Sequence, residues 1–118
     1  MICDFERGFI PPEMVKVRPV VVISRTSTHD TGLCTIVPLS TTPPQRAKSW
    51  HVQLKRDPTP YLNSGQQVWA KCDMLYTVSH KRLDRPHTKI GGRRDYLTVR
   101  VTGEDLNTIL DGVRGYLP

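Results

Sequence analysis

The residues of this chain that could do chemistry stand at the ends of its strand-like runs. Arg18 opens "RPVVVIS", Ser40 closes "LCTIVPLS" and Thr41 follows it. Lys71 and Asp73 fall two apart in "QVWAKCDMLYTV", where period-two alternation would put them on one strand face. Arginine offers fork-shaped donors matched to phosphate oxygens. A carboxylate can take a proton, an ammonium can give one, and a hydroxyl can hold an oxyanion. Converged on one hollow, these groups suit cleavage of RNA by its own ribose 2′-hydroxyl. That reaction needs a base, an acid and donors for the charge on the phosphorane. It needs no metal, because the nucleophile belongs to the substrate and positioning does much of the work.

Other chemistries find little support. His29, His51, His80 and His87 are spread singly, without ligand spacing, and no metal site or cofactor is expected. There is no glycine-rich dinucleotide or phosphate loop and no Gly-x-Ser-x-Gly elbow. Cys3, Cys34 and Cys72 form no CxxC pair. They read as reduced thiols, with Cys3 and Cys34 packed in a core.

The elements that must position Arg18, Ser40 and Asp73 are short strands. "MICDF" alternates weakly, "RPVVVIS" is almost continuously β-branched and expects burial on both faces, and "LCTIVPLS" follows, with Pro38 as its end. "WHVQLK" alternates, and "QVWAKCDMLYTV" reads as one strand or two bent in the middle. Residues 56–66 are turn-rich, and "YLTVRV" reads as the last strand. Residues 103–117 form the one clear helix, capped by Thr102, with Asp105 at the capping-box position. Leu106, Ile109, Leu110, Val113 and Leu117 make its apolar face, which Gly112 and Gly115 weaken. Strands at close spacing followed by one helix predict a mainly β fold, a small twisted antiparallel barrel. The 118 residues read as a single domain, 1–118.

Charge is unevenly placed. The net charge is +6 and the isoelectric point about 9.6. Residues 79–100 carry a net +5 of that, with Gly91-Gly92 as a turn. A basic concentration of this kind favours a polyanion, since neutralising phosphates releases counterions. No apolar run reaches the length of a membrane span, and "MICDFERGF" does not read as an export signal, so a cytoplasmic protein is expected.

"PPEMVKVRPVVVIS", "CTIVPLSTT" and "VWAKCDMLYTVSHKRL", in this order, resemble the blocks of the PemK/MazF toxin family. "LTVRVTGEDLNTILDGVRGYL" resembles that family's closing strand and helix. The resemblance implies an SH3-like barrel of the CcdB/PemK/MazF type and a homodimer. It implies an endoribonuclease acting on single-stranded RNA to leave 2′,3′-cyclic phosphate and 5′-hydroxyl ends. A cognate antitoxin would be its protein partner. Carried over by position, the family's arginine falls on Arg18, its upstream glutamate on Glu13 and its threonine on Ser40, with Thr41 adjacent. Its aspartate falls on Asp73 and the preceding basic residue on Lys71. Arg18, Ser40, Asp73 and Lys71 are thus the expected catalytic set. Glu13, Thr41, Lys81, Arg82, Arg93 and Arg94 are the expected RNA contacts. Three positions depart from the family pattern: Met74 for glutamine, Tyr76 for arginine and Pro12 for a histidine used by some PemK relatives. Two other readings remain: a non-catalytic nucleic-acid-binding barrel, with Trp50, Trp69 or Tyr76 stacking bases, and a CcdB-like gyrase poison.

Overall fold

The apolar runs pair into one antiparallel sheet. The computed structural model describes residues 1–14, 16–59, 66–97 and 99–118. Its strands are β1 (Ile2–Cys3), β2 (Arg18–Val22), β3 (Leu33–Ser40), β4 (His51–Gln53), β5 (Trp69–Lys71), β6 (Tyr76–Ser79) and β7 (Leu83–Asp84). They lie in the order β4-β5-β3-β2-β1-β7, with β6 also paired to β3. The chain is therefore mainly β, and a C-terminal helix, α1 (Gly103–Tyr116), closes it. Among the described residues no ladder joins β4 to β7.

The longest strand, β3, holds the sheet together because it pairs with three neighbours. Val20, Val21 and Val22 of β2 face Pro38, Val37 and Ile36. On its other edge, Leu33–Ile36 pair with β6 and Leu39–Ser40 pair with β5. Pro38, expected to end the strand, lies inside it. It falls in the gap between the β6 and β5 registers, where the N–H it lacks has no ladder position to fill.

Alternation along β2 and β3 then builds two cores, one on each face. Val21, Val37 and Leu39 join Val52, Leu54, Val68, Ala70, Cys72, Ile109 and Val113 on the face covered by α1. Val20 and Ile36 join Cys3, Phe5, Cys34 and Val78 on the other. Burial on both faces is what the unbroken β-branched run requires. Phe5, Phe9 and Tyr76 cover the second core with rings 5.1 to 6.0 Å apart.

The helix is fixed at its start and at a close approach further along. Thr102 caps it by accepting from the Asp105 N–H at 3.1 Å. The Asp105 carboxylate, 2% exposed, does not reach back to close a capping box. It accepts from the Lys55 and Arg56 backbone N–H groups at 3.0 and 3.1 Å, tying the helix to the chain after β4. Gly112 is a packing requirement as well as a propensity cost. A Cβ there would stand 2.9 Å from both Cys72 Sγ and Val52 Cγ2.

The basic segment is more ordered than a loop. His87–Ile90 (β8) and Arg93–Tyr96 (β9) form a separate hairpin. Its turn uses Gly91 and Gly92, both at positive φ as a two-residue hairpin demands. The expected strand "YLTVRV" is corrected by this: Tyr96 ends β9, Leu97 and residues 99–101 are in no strand, and Thr98 lies outside the described residues. The expected turns at 60–65 also lie outside them. No helix among the described residues is long and apolar enough to cross a membrane.

Gly112→Ala should destabilise the protein by about 1–3 kcal/mol, the usual cost of overpacking. A urea midpoint equal to wild type would show that Cys72 and Val52 can give way.

Candidate active site

The β2–β3 register determines where the site forms. Continuing the pairs Val20–Pro38 and Val21–Val37 by two residues sets Arg18, the first residue of β2, across from Ser40, the last of β3. Ser40 in turn pairs with Trp69 of β5. By alternation these side chains share the face of Val20 and Ile36, away from the helix. The two expected residues Arg18 and Ser40 thus line one small hollow of about 40 Å³, together with Pro19, Leu39, Thr41 and Val68.

Hydrogen bonding is incomplete at Arg18, which lines the hollow, and at two residues outside its lining. Arg18 Nε, Trp69 Nε1 and Asp73 Oδ1 are buried without a hydrogen-bond partner among the described residues. A buried, unpaired donor or acceptor costs about 1–3 kcal/mol. Ser40 Oγ accepts from the Thr42 N–H at 3.1 Å. One lone pair is thereby used and the hydroxyl proton stays free to donate.

Lys71 and Asp73 come together, though not by strand alternation. Strand β5 ends at Lys71, and Cys72–Met74 form a 3-10 turn that carries Asp73. The Lys71 ammonium donates to the Thr42 carbonyl at 3.1 Å, which joins it to the turn following Ser40. Burial lowers its pKa, and the charge of Asp73 opposes that shift. The His51 ring stands beside Asp73, Nε2 to Oδ2, at 3.8 Å. His51 was not among the residues singled out from the sequence. It is the cross-strand partner of Lys71, which only the β4–β5 register reveals.

The cysteine between Lys71 and Asp73 takes no part. Burial pushes the Cys72 thiol up to about 11, and the Asp73 charge adds to the shift. Burial likewise pushes Cys3 up to about 11 and raises Cys34. All three are buried and free.

The expected RNA contacts divide. Thr41 lines the hollow. Glu13 stands near Tyr76, whose pKa is raised first by burial and then by the Glu13 charge. Arg82 has a structural position: its guanidinium donates to the Asp4 and Arg7 carbonyls at 3.2 and 2.7 Å and lies 4.8 Å over the Phe9 ring. Lys81, Arg93 and Arg94 are exposed, Arg94 with a 3.4 Å contact to Asp84. Of the three candidate stacking rings, Tyr76 is packed between Phe5 and Phe9, and Trp50 lies against Tyr116 at 5.5 Å. Trp69 lies beside Ser40 in the sheet.

At neutral pH a thiol reagent should leave all three cysteines unmodified until the protein unfolds. Rapid labelling of Cys72 in the native state would contradict its burial and raised pKa.

Comparison with known proteins gives this arrangement a family. Residues 1–100 match the model of the PemK-like, MazF-like toxin of type II toxin-antitoxin systems. The uncharacterized protein YifN of Escherichia coli strain K12 is 40% identical over 88 residues, which cover 71% of this chain and 58% of YifN. The chain thus spans less than two thirds of that relative's length. Among solved structures, a mycobacterial endoribonuclease in complex with its cognate antitoxin aligns over 99% of this chain and 90% of its own, with TM-score 0.65 and 21% identity. MazF of Deinococcus radiodurans aligns over 98% of this chain and 90% of its own, with TM-score 0.67 and 14% identity. The fold is shared with these toxins, and the sequence match over residues 1–100 places this chain in the PemK-like, MazF-like toxin family of type II toxin-antitoxin systems.

Proposed function

We propose that the protein is an endoribonuclease toxin that cleaves single-stranded RNA without a metal ion, leaving 2′,3′-cyclic phosphate and 5′-hydroxyl ends. The observation that carries this reading is the pairing of Arg18 with Ser40 around one hollow, with the Arg18 Nε–H buried and unpaired. A phosphate oxygen would satisfy that donor and accept the free proton of the Ser40 hydroxyl. Both bonds strengthen as charge builds on the phosphorane, which is what lowers a barrier.

Proton transfer falls to the neighbouring pair. Asp73, through its unpaired Oδ1, takes the proton of the 2′-hydroxyl. The 2′-oxygen bonds to phosphorus, and the bond from phosphorus to the 5′-oxygen breaks. The Lys71 ammonium gives its proton to the leaving 5′-oxygen. Its lowered pKa makes it a readier acid than an exposed lysine. This pair also serves where Pro12 stands in place of the histidine of some relatives.

Glu13 and Thr41 extend the surface on which RNA would lie, and the basic residues Lys81, Arg93 and Arg94 would attract its backbone. Arg82 contributes to the same field while holding the N-terminal segment. The mycobacterial relative with its cognate antitoxin supports an antitoxin partner for this chain. A cytoplasmic homodimer completes the reading.

Arg18→Ala should fold as wild type and lose about 10²-fold or more in kcat, the usual cost of removing a transition-state donor. Wild type should cut a long RNA in EDTA and leave cyclic phosphate ends. Bound but uncut RNA would favour a nucleic-acid-binding barrel instead. Intact RNA with trapped gyrase on DNA would favour a CcdB-like poison.

The pH profile tests Lys71. As the acid it must be protonated, so activity falls as pH rises through its pKa. That limb should lie below the ordinary lysine value of about 10.4. Lys71→Arg should move it upward, because arginine keeps its proton beyond pH 12. An unmoved alkaline limb would remove Lys71 from the role.

A further inference from the structure

His51 lies between two fixed points. Its Nδ1 is 3.0 Å from the backbone N–H of Lys48, and its Nε2 is 3.8 Å from Asp73 Oδ2. The Lys48 amide can only donate, so Nδ1 must accept and the ring hydrogen sits on Nε2. The imidazole therefore presents its Nε2–H to the carboxylate. Its side chain is only 13% exposed, which leaves it little room to turn away.

Asp73 is asymmetric as a result. Oδ2 faces the histidine, while Oδ1 is buried and unpaired. Lys71 forms no ion pair with Oδ2; one hydrogen of its ammonium goes to the Thr42 carbonyl. At 3.8 Å the His51 contact is longer than a hydrogen bond in the free protein, and such contacts commonly tighten when substrate binds.

Resting on the reading of Asp73 as the base, we propose that His51 is a positioning residue: it holds Asp73 Oδ2 so that Oδ1 faces the ribose 2′-hydroxyl. His51 neither takes nor gives a proton in the reaction. Its Nε2–H orients the carboxylate, and the Lys48 amide orients the ring. The requirement is a side chain of this length ending in a donor. Glutamine meets it, and phenylalanine or leucine does not.

The test is steady-state cleavage of a short fluorescent RNA by wild type, His51→Gln, His51→Phe, Asp73→Asn and the double variant His51→Phe/Asp73→Asn. Melting curves establish that each is folded, and His51→Leu replaces His51→Phe should the larger ring disturb the strand. His51→Phe should lose about tenfold to 10²-fold in kcat, the range for a misplaced reacting group, with KM nearly unchanged. His51→Gln should recover most of that loss. The phenylalanine should cost nothing further in the Asp73→Asn background, because the group it positions is gone.

Wild-type kcat in His51→Phe, or an equal loss in His51→Gln, would overturn the proposal while Asp73→Asn still marks the base. Full losses in both single variants that multiply in the double variant would also overturn it. Undiminished cleavage by Asp73→Asn would remove the underlying assignment, and an inert wild type would remove the nuclease reading with it.

Discussion

The β2–β3 ladder is the constraint from which the rest follows. Val20 and Val21, neighbours in sequence, enter different cores, and so do Ile36 and Val37. A slip of one residue would exchange every one of these side chains between faces. Both faces are dry and differently shaped, so the register has no easy alternative. That same register brings the first residue of β2 to the last of β3. Arg18 and Ser40 are thus held by the packing of residues that touch no substrate. Pro19 adds to this by restricting the backbone of the residue before it.

Positive charge in the sequence overstates positive charge available to a ligand. Arg82 binds two carbonyls of the N-terminal segment and covers Phe9. Arg85 lies 5.7 Å from the centre of the Tyr96 ring, and Arg94 contacts Asp84. These groups still contribute to the long-range field, which depends on charge and not on whether a guanidinium has partners. The β8–β9 hairpin is thereby a folded, exposed carrier of charge with no ladder to the main sheet among the described residues.

What could be read from the sequence was local. The β-branched run before and after residue 20 announced a strand buried on both faces, and the cap at Thr102 announced the helix. Arg18 and Ser40 were singled out because strand ends and a family pattern coincide there. His51 was invisible because its meaning lies in the pairing of β4 with β5, and the intervening residues say nothing of register. Lys71 and Asp73 were joined for the wrong reason: a 3-10 turn, which nothing in "KCDM" announces, sets their relation. Gly112 was read as a weak helix residue because propensity is local, whereas the close approach of Cys72 and Val52 is tertiary. Asp105 was read as half of a capping box for the same reason. Its distant partners, the amides of Lys55 and Arg56, were out of view.

The helix and the site lie on opposite faces of the sheet, yet one turn belongs to both. Cys72 points into the helix-covered core, where its thiol reaches the Ile109 carbonyl at 3.6 Å and packs where a Gly112 side chain would be. The carboxylate of Asp73, the next residue, lies beside His51. A side chain at position 112 would force Cys72, Val52 or the helix to shift. The thiol contact itself is weak, since sulfur is a poor donor. What fixes the turn is the exclusion of any larger side chain beneath it, which a dense interior enforces in all directions at once. The orientation of the proposed base is thus set from below by the helix and from the side by a histidine, with neither contact made by a residue that meets RNA.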